Sequence, residues 1–323
     1  MLQDLPKRIL DGAEISFEEA LELTELSGDE VYDLIHAAWK VTRGLSGAEV
    51  DLCSIINAKS GRCSEDCRFC AQSGRYHTGI ETYPLLDASR VLEQAREIEQ
   101  SGAHRFSLVI SGRGPSRSEF DRIISIYETL KSETRLNLCA SLGVIDKEQA
   151  RRLAAAGVTM YHHNLETCRS FFPSICSSHT YDDRVATVEA VKKAGMRVCC
   201  GGILSMGESW RHRVEFAFEL KELGVDSVPI NILNPIEGTP FEHLQPMSPL
   251  DTLKSIAIFR LALPKTRLRL AGGRAAALRD TLPLALQAGI NAMLVGNYLT
   301  TAGRSVAEDV QMLSDLGLSS LGI

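Results

Sequence analysis

The sequence predicts an α/β barrel of the TIM type, a (β/α)8 barrel preceded by a helical extension. Three observations lead there. Short apolar segments alternate with helical stretches eight times along the chain. Several helical stretches end in glycine just before the next strand, as a helix C-terminus favours. The length of 323 residues suits one barrel of ~250 residues plus an extension. A doubly wound open sheet is the alternative that the same alternation allows.

Residues 1–45 read as the helical extension. ISFEEALELTEL and DEVYDLIHAAWKVTRG carry apolar residues at helical spacing. The barrel is expected over 46–323. Its strands are expected at 49–56 (EVDLCSII), 104–110 (HRFSLVI), 135–140 (RLNLCA) and 158–164 (VTMYHHN). Four more follow at 196–203 (MRVCCGGI), 226–232 (DSVPINI), 267–271 (RLRLA) and 291–295 (NAMLV). Amphipathic stretches such as VLEQAREIEQSG, YDDRVATVEAVKKAG and RVEFAFELKELG fill the intervals. In such a barrel the chemistry sits at the C-terminal ends of the strands.

Composition narrows the class. Apolar residues make up 44% and charged residues 24%, with a net charge of −6 and both signs interspersed. That is ordinary for a globular enzyme and excludes a basic nucleic-acid footprint or a polybasic membrane anchor. No run approaches the ~20 apolar residues of a membrane span, and the N-terminus lacks an apolar signal core. The expected location is the cytoplasm, with neither membrane nor nucleic acid as partner. Nine cysteines in a reducing compartment point to metal or redox chemistry.

Three of them, Cys63, Cys67 and Cys70, follow the first strand with CxxxCxxC spacing. Zinc modules usually bring four Cys or His ligands in pairs, and no fourth ligand stands at a comparable spacing here. Three thiolates on a cubane of four irons leave one iron open to a small molecule. A zinc site, or thiols without a metal, is the alternative. The spacing after a first barrel strand resembles the radical S-adenosylmethionine superfamily. The resemblance implies a 4Fe–4S cluster that chelates S-adenosylmethionine and cleaves it to a 5′-deoxyadenosyl radical. It places Phe69, between the last two cysteines, near the adenine.

The stretches NAKSGRCSEDCRFCAQS, YHHNLET, SHTYDDR, VCCGGILSMGE, VPINILNPIEGTP and RLRLAGGR resemble the biotin synthase family, in that family's order. The resemblance implies radical insertion of sulfur between two saturated carbons of dethiobiotin, with an auxiliary iron–sulfur cluster as the sulfur source. It also implies a reductant protein of the flavodoxin or ferredoxin type and a homodimer. In the family pattern the auxiliary cluster is held by cysteines on the second, third and fifth strands and an arginine on the seventh. The matching positions are Cys139, Cys199 and Arg269, but Ser107 stands where the second-strand cysteine belongs. The auxiliary cluster is then either 2Fe–2S with a changed ligand or a larger type. Ser107 itself, Cys200, Cys168 and Cys176 are the candidates for the missing ligand. Cys200 neighbours Cys199 and should face the opposite way unless a bulge turns it.

Asn164 and Glu166, at the end of the fourth strand, are assigned by the resemblance to ribose and substrate contacts. Asn231, at the end of the sixth, is expected to face the ureido ring. Arg113, beside Ser111 and Gly112, is placed near the methionine or dethiobiotin carboxylate. His162 and His163 read as ordinary strand histidines. Two other classes stay open at this point. One is another radical barrel, of the hydrogenase-maturation or methylornithine-forming type. The other is a non-catalytic iron–sulfur or zinc-binding protein.

Overall fold

The computed structural model describes residues 2–300 and 303–321, so residue 1 of the expected extension and residues 301–302 and 322–323 of the expected 46–323 span lie outside the description. Among the described residues ten strands run in chain order: β1 (Glu49–Lys59), β2 (Arg105–Ile110), β3 (Asn137–Ser141), β4 (Met160–His162), β5 (Arg197–Cys199), β6 (Gly202–Leu204), β7 (Ser227–Ile232), β8 (Arg267–Leu270), β9 (Ala292–Leu294) and β10 (Ser319–Ser320). Neighbours pair in parallel in the order β1-β2-β3-β4-β5-β7-β8-β9, and β9 pairs back with β1 at Asp51↔Ala292. That closure makes a barrel and excludes the open sheet. β10 adds to the outer start of β1 through Glu49↔Ser319.

The fifth expected strand is broken in two, and both halves, β5 and β6, pair with β7. Pro229 of β7 has no N–H to offer at the break, so the ladder cannot run on unbroken there. Two glycines let the backbones close in. A Cβ on Gly201 would lie 2.1 Å from the Pro229 carbonyl, and one on Gly202 would lie 2.1 Å from the Glu166 carbonyl. The freed Gly201 N–H is satisfied by Asn164 Oδ1 at 3.1 Å.

The N-terminal residues form helices Leu5–Leu10, Phe17–Glu22 and Asp29–Ser46. Ser16 and Glu19 close a capping box on the second of these. The last packs on helix Pro249–Ala262. That helix is covered all round, which explains why it shows no polar face. Its buried Lys254 still finds acceptors, donating to Thr24 O at 2.8 Å and Leu26 O at 3.1 Å. Extension and barrel share one apolar core. No described helix is long and apolar enough to cross a membrane.

Candidate active site

The loop after β1 carries the three-cysteine motif over the C-terminal mouth of the barrel. Its own backbone folds it. Cys63 N–H donates to Gln72 O at 3.0 Å, Gly74 N–H to Cys63 O at 2.8 Å, and Cys70 N–H to Cys67 O at 3.0 Å. Asp66 ties the loop to the segment after β4: its carboxylate accepts from the Ser177 and Ser178 N–H groups, both at 2.9 Å. Those bonds, with the Ser177 hydroxyl and the Cys176 thiol, outweigh burial and hold the Asp66 carboxyl well below the usual range.

Cys63, Cys67 and Cys70 line an outer chamber of about 180 Å³, together with Phe69, Asn164 and Glu166. Below it, within the barrel, lies an inner chamber of about 390 Å³ lined by Cys53, Ser107, Cys139, Cys199, Asn231 and Arg269. The chambers share Phe69, Cys70, His162, Asn164 and Glu166, so they form one connected cavity.

The junction is polar and preorganised. Asn164 Nδ2 donates to Glu166 Oε2 at 3.2 Å, and Arg184 lies 3.5 Å from Glu166 Oε1. Burial pushes the Glu166 carboxyl above its usual pKa against the pull of Arg184. Glu166 adopts φ +72°, held by its N–H donating to Gly201 O at 3.1 Å and its carbonyl accepting from Ile203 N–H at 2.9 Å. Arg184 also donates to Asn164 O at 2.7 Å and to His179 Nε2 at 2.9 Å. His162 is more than a strand histidine: it lines both chambers, with Nδ1 3.4 Å from Cys199 Sγ. Burial, aided by Arg269 and Arg184, pushes its pKa down to about 4, so it is neutral at pH 7.

The deeper end is strongly cationic. Asp51, fully buried, pairs with Arg269 at 2.9 Å, with Arg105 at 3.0 Å and with Arg267. Arg269 is therefore not waiting for an anion, as a lone buried arginine would be. Asp51 already supplies one, and Arg269 Nη1 also donates to Met293 O at 3.1 Å. Arg267 and Arg269 do share a strand face, two residues apart on β8, as period-two geometry requires.

Some sequence candidates lie elsewhere. Cys200 and Cys168 are buried in the main apolar core and line neither chamber. Cys200 faces away because it directly follows Cys199 and its backbone still donates along the ladder, to Ser227 O at 2.8 Å. Cys176 sits behind the motif loop, with its sulfur 3.8 Å from Cys67 Sγ and 3.3 Å from His179 Nδ1. Asp66 holds it there, far from the deep thiols. Arg113 stands exposed on the outer rim, 3.6 Å from Asp183. Asn231 lines the inner chamber, but its amide also bridges strands, donating to Gly202 O at 3.0 Å and accepting from Gly272 N–H at 2.9 Å.

Other site residues were not singled out in the sequence: Cys53, Asp51 and Arg105 at the deep end, and Glu65, His179 and Arg184 at the outer one. Cys53 and Asp51 had a visible signal, since EVDLCSII puts them on one face of a strand. His179 and Arg184 lie within SHTYDDR, and only the contact with Asp66 and Glu65 brings that stretch to the cysteines.

Known proteins match this arrangement. The model of the radical SAM superfamily matches residues 58–220, and that of the Biotin and Thiamin Synthesis associated domain matches 229–319. A biotin synthase from Pelotomaculum thermopropionicum is 59% identical over 319 residues, covering 99% of each chain. The chain belongs to the biotin synthase family. The biotin synthase of Heliobacterium modesticaldum is 57% identical over 308 residues, covering 95% of this chain and 94% of its own. Among solved structures, methylornithine synthase has a TM-score of 0.86 at 24% identity, covering 98% of this chain and 97% of that one. An FeFe-hydrogenase maturase from Carboxydothermus hydrogenoformans has a TM-score of 0.83 at 19% identity, covering 99% of this chain and 79% of that one. These two likenesses show the fold alone.

A biotin synthase of this family carries a 4Fe–4S cluster with S-adenosylmethionine and an auxiliary iron–sulfur cluster. The residues present suit both. Burial pushes the Cys70 thiol up to about 11, and the neighbouring Cys176 and burial push Cys67 higher still. Such thiols stay protonated until a metal takes the place of the proton. At the deep end, Ser107 Oγ and Arg105 Nη1 are buried without a hydrogen-bond partner among the described residues. Orphaned donors beside thiols suit a sulfide-rich anion.

Proposed function

We propose that this biotin synthase holds its radical-generating cluster on Cys63, Cys67 and Cys70 and its auxiliary cluster on Cys139, Cys199 and Arg269, with dethiobiotin between them. One observation carries the assignment: the two thiol sets line two chambers of a single cavity, with Phe69, Asn164 and Glu166 at the junction. When bound, the first cluster supplies the electron that splits S-adenosylmethionine into methionine and a 5′-deoxyadenosyl radical, and the second supplies sulfur.

The chain's own residues do the positioning. Phe69 offers an aromatic face to the adenine. Glu166 presents a carboxylate to ribose hydroxyls, fixed by Asn164 and Arg184. Asn231 keeps one amide hydrogen and one oxygen lone pair for the ureido ring after its two backbone bonds are made. Arg113, exposed at the rim near Asp183, offers a cation for a carboxylate. The apolar barrel wall around the inner chamber, including Ile55, Val109 and Met160, keeps water from a radical that would otherwise be quenched. Residues 1–45 serve as an extension that buttresses the barrel of 46–323. The cytoplasm, a homodimer and a flavodoxin- or ferredoxin-type reductant complete the reading.

Anaerobic incubation with dethiobiotin, S-adenosylmethionine and a reductant tests it. Biotin should form with about two 5′-deoxyadenosines per biotin, one for each C–H bond broken. 5′-Deoxyadenosine without biotin would overturn the substrate assignment. Replacing Cys63, Cys67 or Cys70 with Ala should abolish 5′-deoxyadenosine formation altogether.

A further inference from the structure

Ser107 leaves the auxiliary site one thiolate short of the family pattern, and the structure brings up another thiol in its place. Cys53 lies on β1, in register with Arg105 of β2, while Ser107 is in register with Ile55 and, across the next ladder, with Cys139. Asp51, Cys53 and Ile55 alternate onto one face of β1. Cys53 and Ile55 line the inner chamber beside Ser107, Cys139, Cys199 and Arg269, and Asp51 holds that arginine from below.

Packing separates these cysteines from the rest. Cys168, Cys176 and Cys200 are built into the main apolar core, whereas Cys53, Cys139 and Cys199 stand outside it at the chamber wall. Cys53 and Cys139 line the same chamber, on strands separated only by β2. Charge favours anionic ligands there. Three guanidinium groups, on Arg105, Arg267 and Arg269, face the single carboxylate of Asp51. Sulfur also suits the task better than the serine oxygen. A thiol loses its proton to iron readily, whereas a hydroxyl keeps its proton and donates a hydrogen bond. The orphaned Ser107 Oγ is placed to make such a bond.

We propose that Cys53 is the third thiolate of the auxiliary cluster, standing in for the cysteine that the family pattern has at position 107, with Ser107 acting as a hydrogen-bond donor to the bound group. The proposal rests on the reading that an auxiliary cluster occupies this chamber. Binding is a ligand exchange: the Cys53 proton leaves to solvent as the iron–sulfur bond forms, and no electron changes hands.

Iron, acid-labile sulfide and the visible and Mössbauer spectra of anaerobically reconstituted protein provide the test. The unsubstituted chain should hold clearly more than the about four irons of one cubane. Cys53→Ala and Cys139→Ala should each fall to about one cubane, while Ser107→Ala should keep the second cluster with a shifted spectrum. Cys53→Ala/Ser107→Cys, which moves the thiol to the neighbouring strand, should regain the lost iron. Circular dichroism melting of the metal-free variants checks that they fold. If Cys53→Ala does not, the near-isosteric Cys53→Ser should show a loss of second-cluster iron or a spectrum with an oxygen ligand. Cys53 variants that keep the full iron content and an unaltered spectrum would overturn the proposal. If the unsubstituted chain itself holds only one cubane, the auxiliary-cluster reading fails and the Cys53 assignment with it, an outcome distinct from a cluster that does not depend on Cys53.

Discussion

Asp51 has no solvent exposure and faces Arg105, Arg267 and Arg269 at the deep end of the barrel. Burial alone would raise its pKa, but Arg269, His104 and Arg105 outweigh burial and hold the carboxyl far below the ordinary range. Removing its charge leaves the buried guanidinium groups of Arg105 and Arg269, and the half-buried one of Arg267, without their anion. Asp51→Asn in the metal-free protein should therefore cost about 3–5 kcal/mol at pH 7, read from denaturant midpoints. The sign with pH follows from the depressed folded value. The stabilisation is present above the unfolded carboxyl pKa of ~3.9 and is lost as pH falls below it toward the folded value. The gap between the parent and Asp51→Asn should hold constant from pH 8 to 5 and narrow only in stronger acid. A gap that closes near pH 6 would point to a different group. Residues such as Cys63, Cys67 and Cys70 were legible in the sequence because their spacing is local. Asp51 and Cys53 showed only a shared strand face there, because their roles depend on which residues the neighbouring strands place beside them.

At the scale of elements, the broken fifth strand is the feature that shapes the site. Its gap lets Asn164 and Glu166 reach across to the Gly201–Gly202 backbone, which fixes Glu166 at the junction. A methyl group at Gly202 would collide with the Glu166 carbonyl. Gly202→Ala should cost about 1–3 kcal/mol of stability. It should also weaken S-adenosylmethionine binding measured by equilibrium dialysis, since Glu166 must move. Unchanged affinity would remove Glu166 from the ribose contact. The Asp66 tie between the motif loop and residues 176–178 makes a second prediction at this scale. Asp66→Ala should leave the fold intact but lower the retention of the first cluster several-fold during gel filtration, because the loop loses its anchor. The strand at 196–203 was readable as apolar periodicity. Its break was not, because the break comes from Pro229 on another strand.

Over the whole molecule, the ring closes through β1 and β9, and the chain's two ends brace it from outside. The extension packs on helix Pro249–Ala262 and gives up backbone acceptors to the buried Lys254. Near the C-terminus, the fully buried Arg274 pairs with Asp309 of helix Val306–Asp315 and donates to Tyr298 Oη at 2.7 Å. Asp309→Ala leaves that arginine without its carboxylate and should destabilise the protein by about 3–5 kcal/mol, seen as a fall in the melting temperature. Deleting residues 1–45 should abolish cooperative melting, because the deletion uncovers a helix that is buried on every side. A truncated chain that melts as sharply as the full one would show that the extension is dispensable.

The sequence by itself determined the eight-fold alternation of strand and helix, the open-iron cysteine motif and the family, because each is written in local spacing or in contiguous phrases. The tertiary structure alone decided which thiols meet. Cys168 and Cys200 turned into the apolar core, and Cys176 was drawn to the outer loop by Asp66. Cys53 came to the chamber wall beside Cys139. The physical reason is strand register: a side chain's face follows from period two along its own strand, but its neighbours follow from how the strands align around a closed barrel. The triad motif announces one cluster in the sequence; Cys53, Ser107, Cys139, Cys199 and Arg269 come to one chamber only once the strands that carry them close into the barrel.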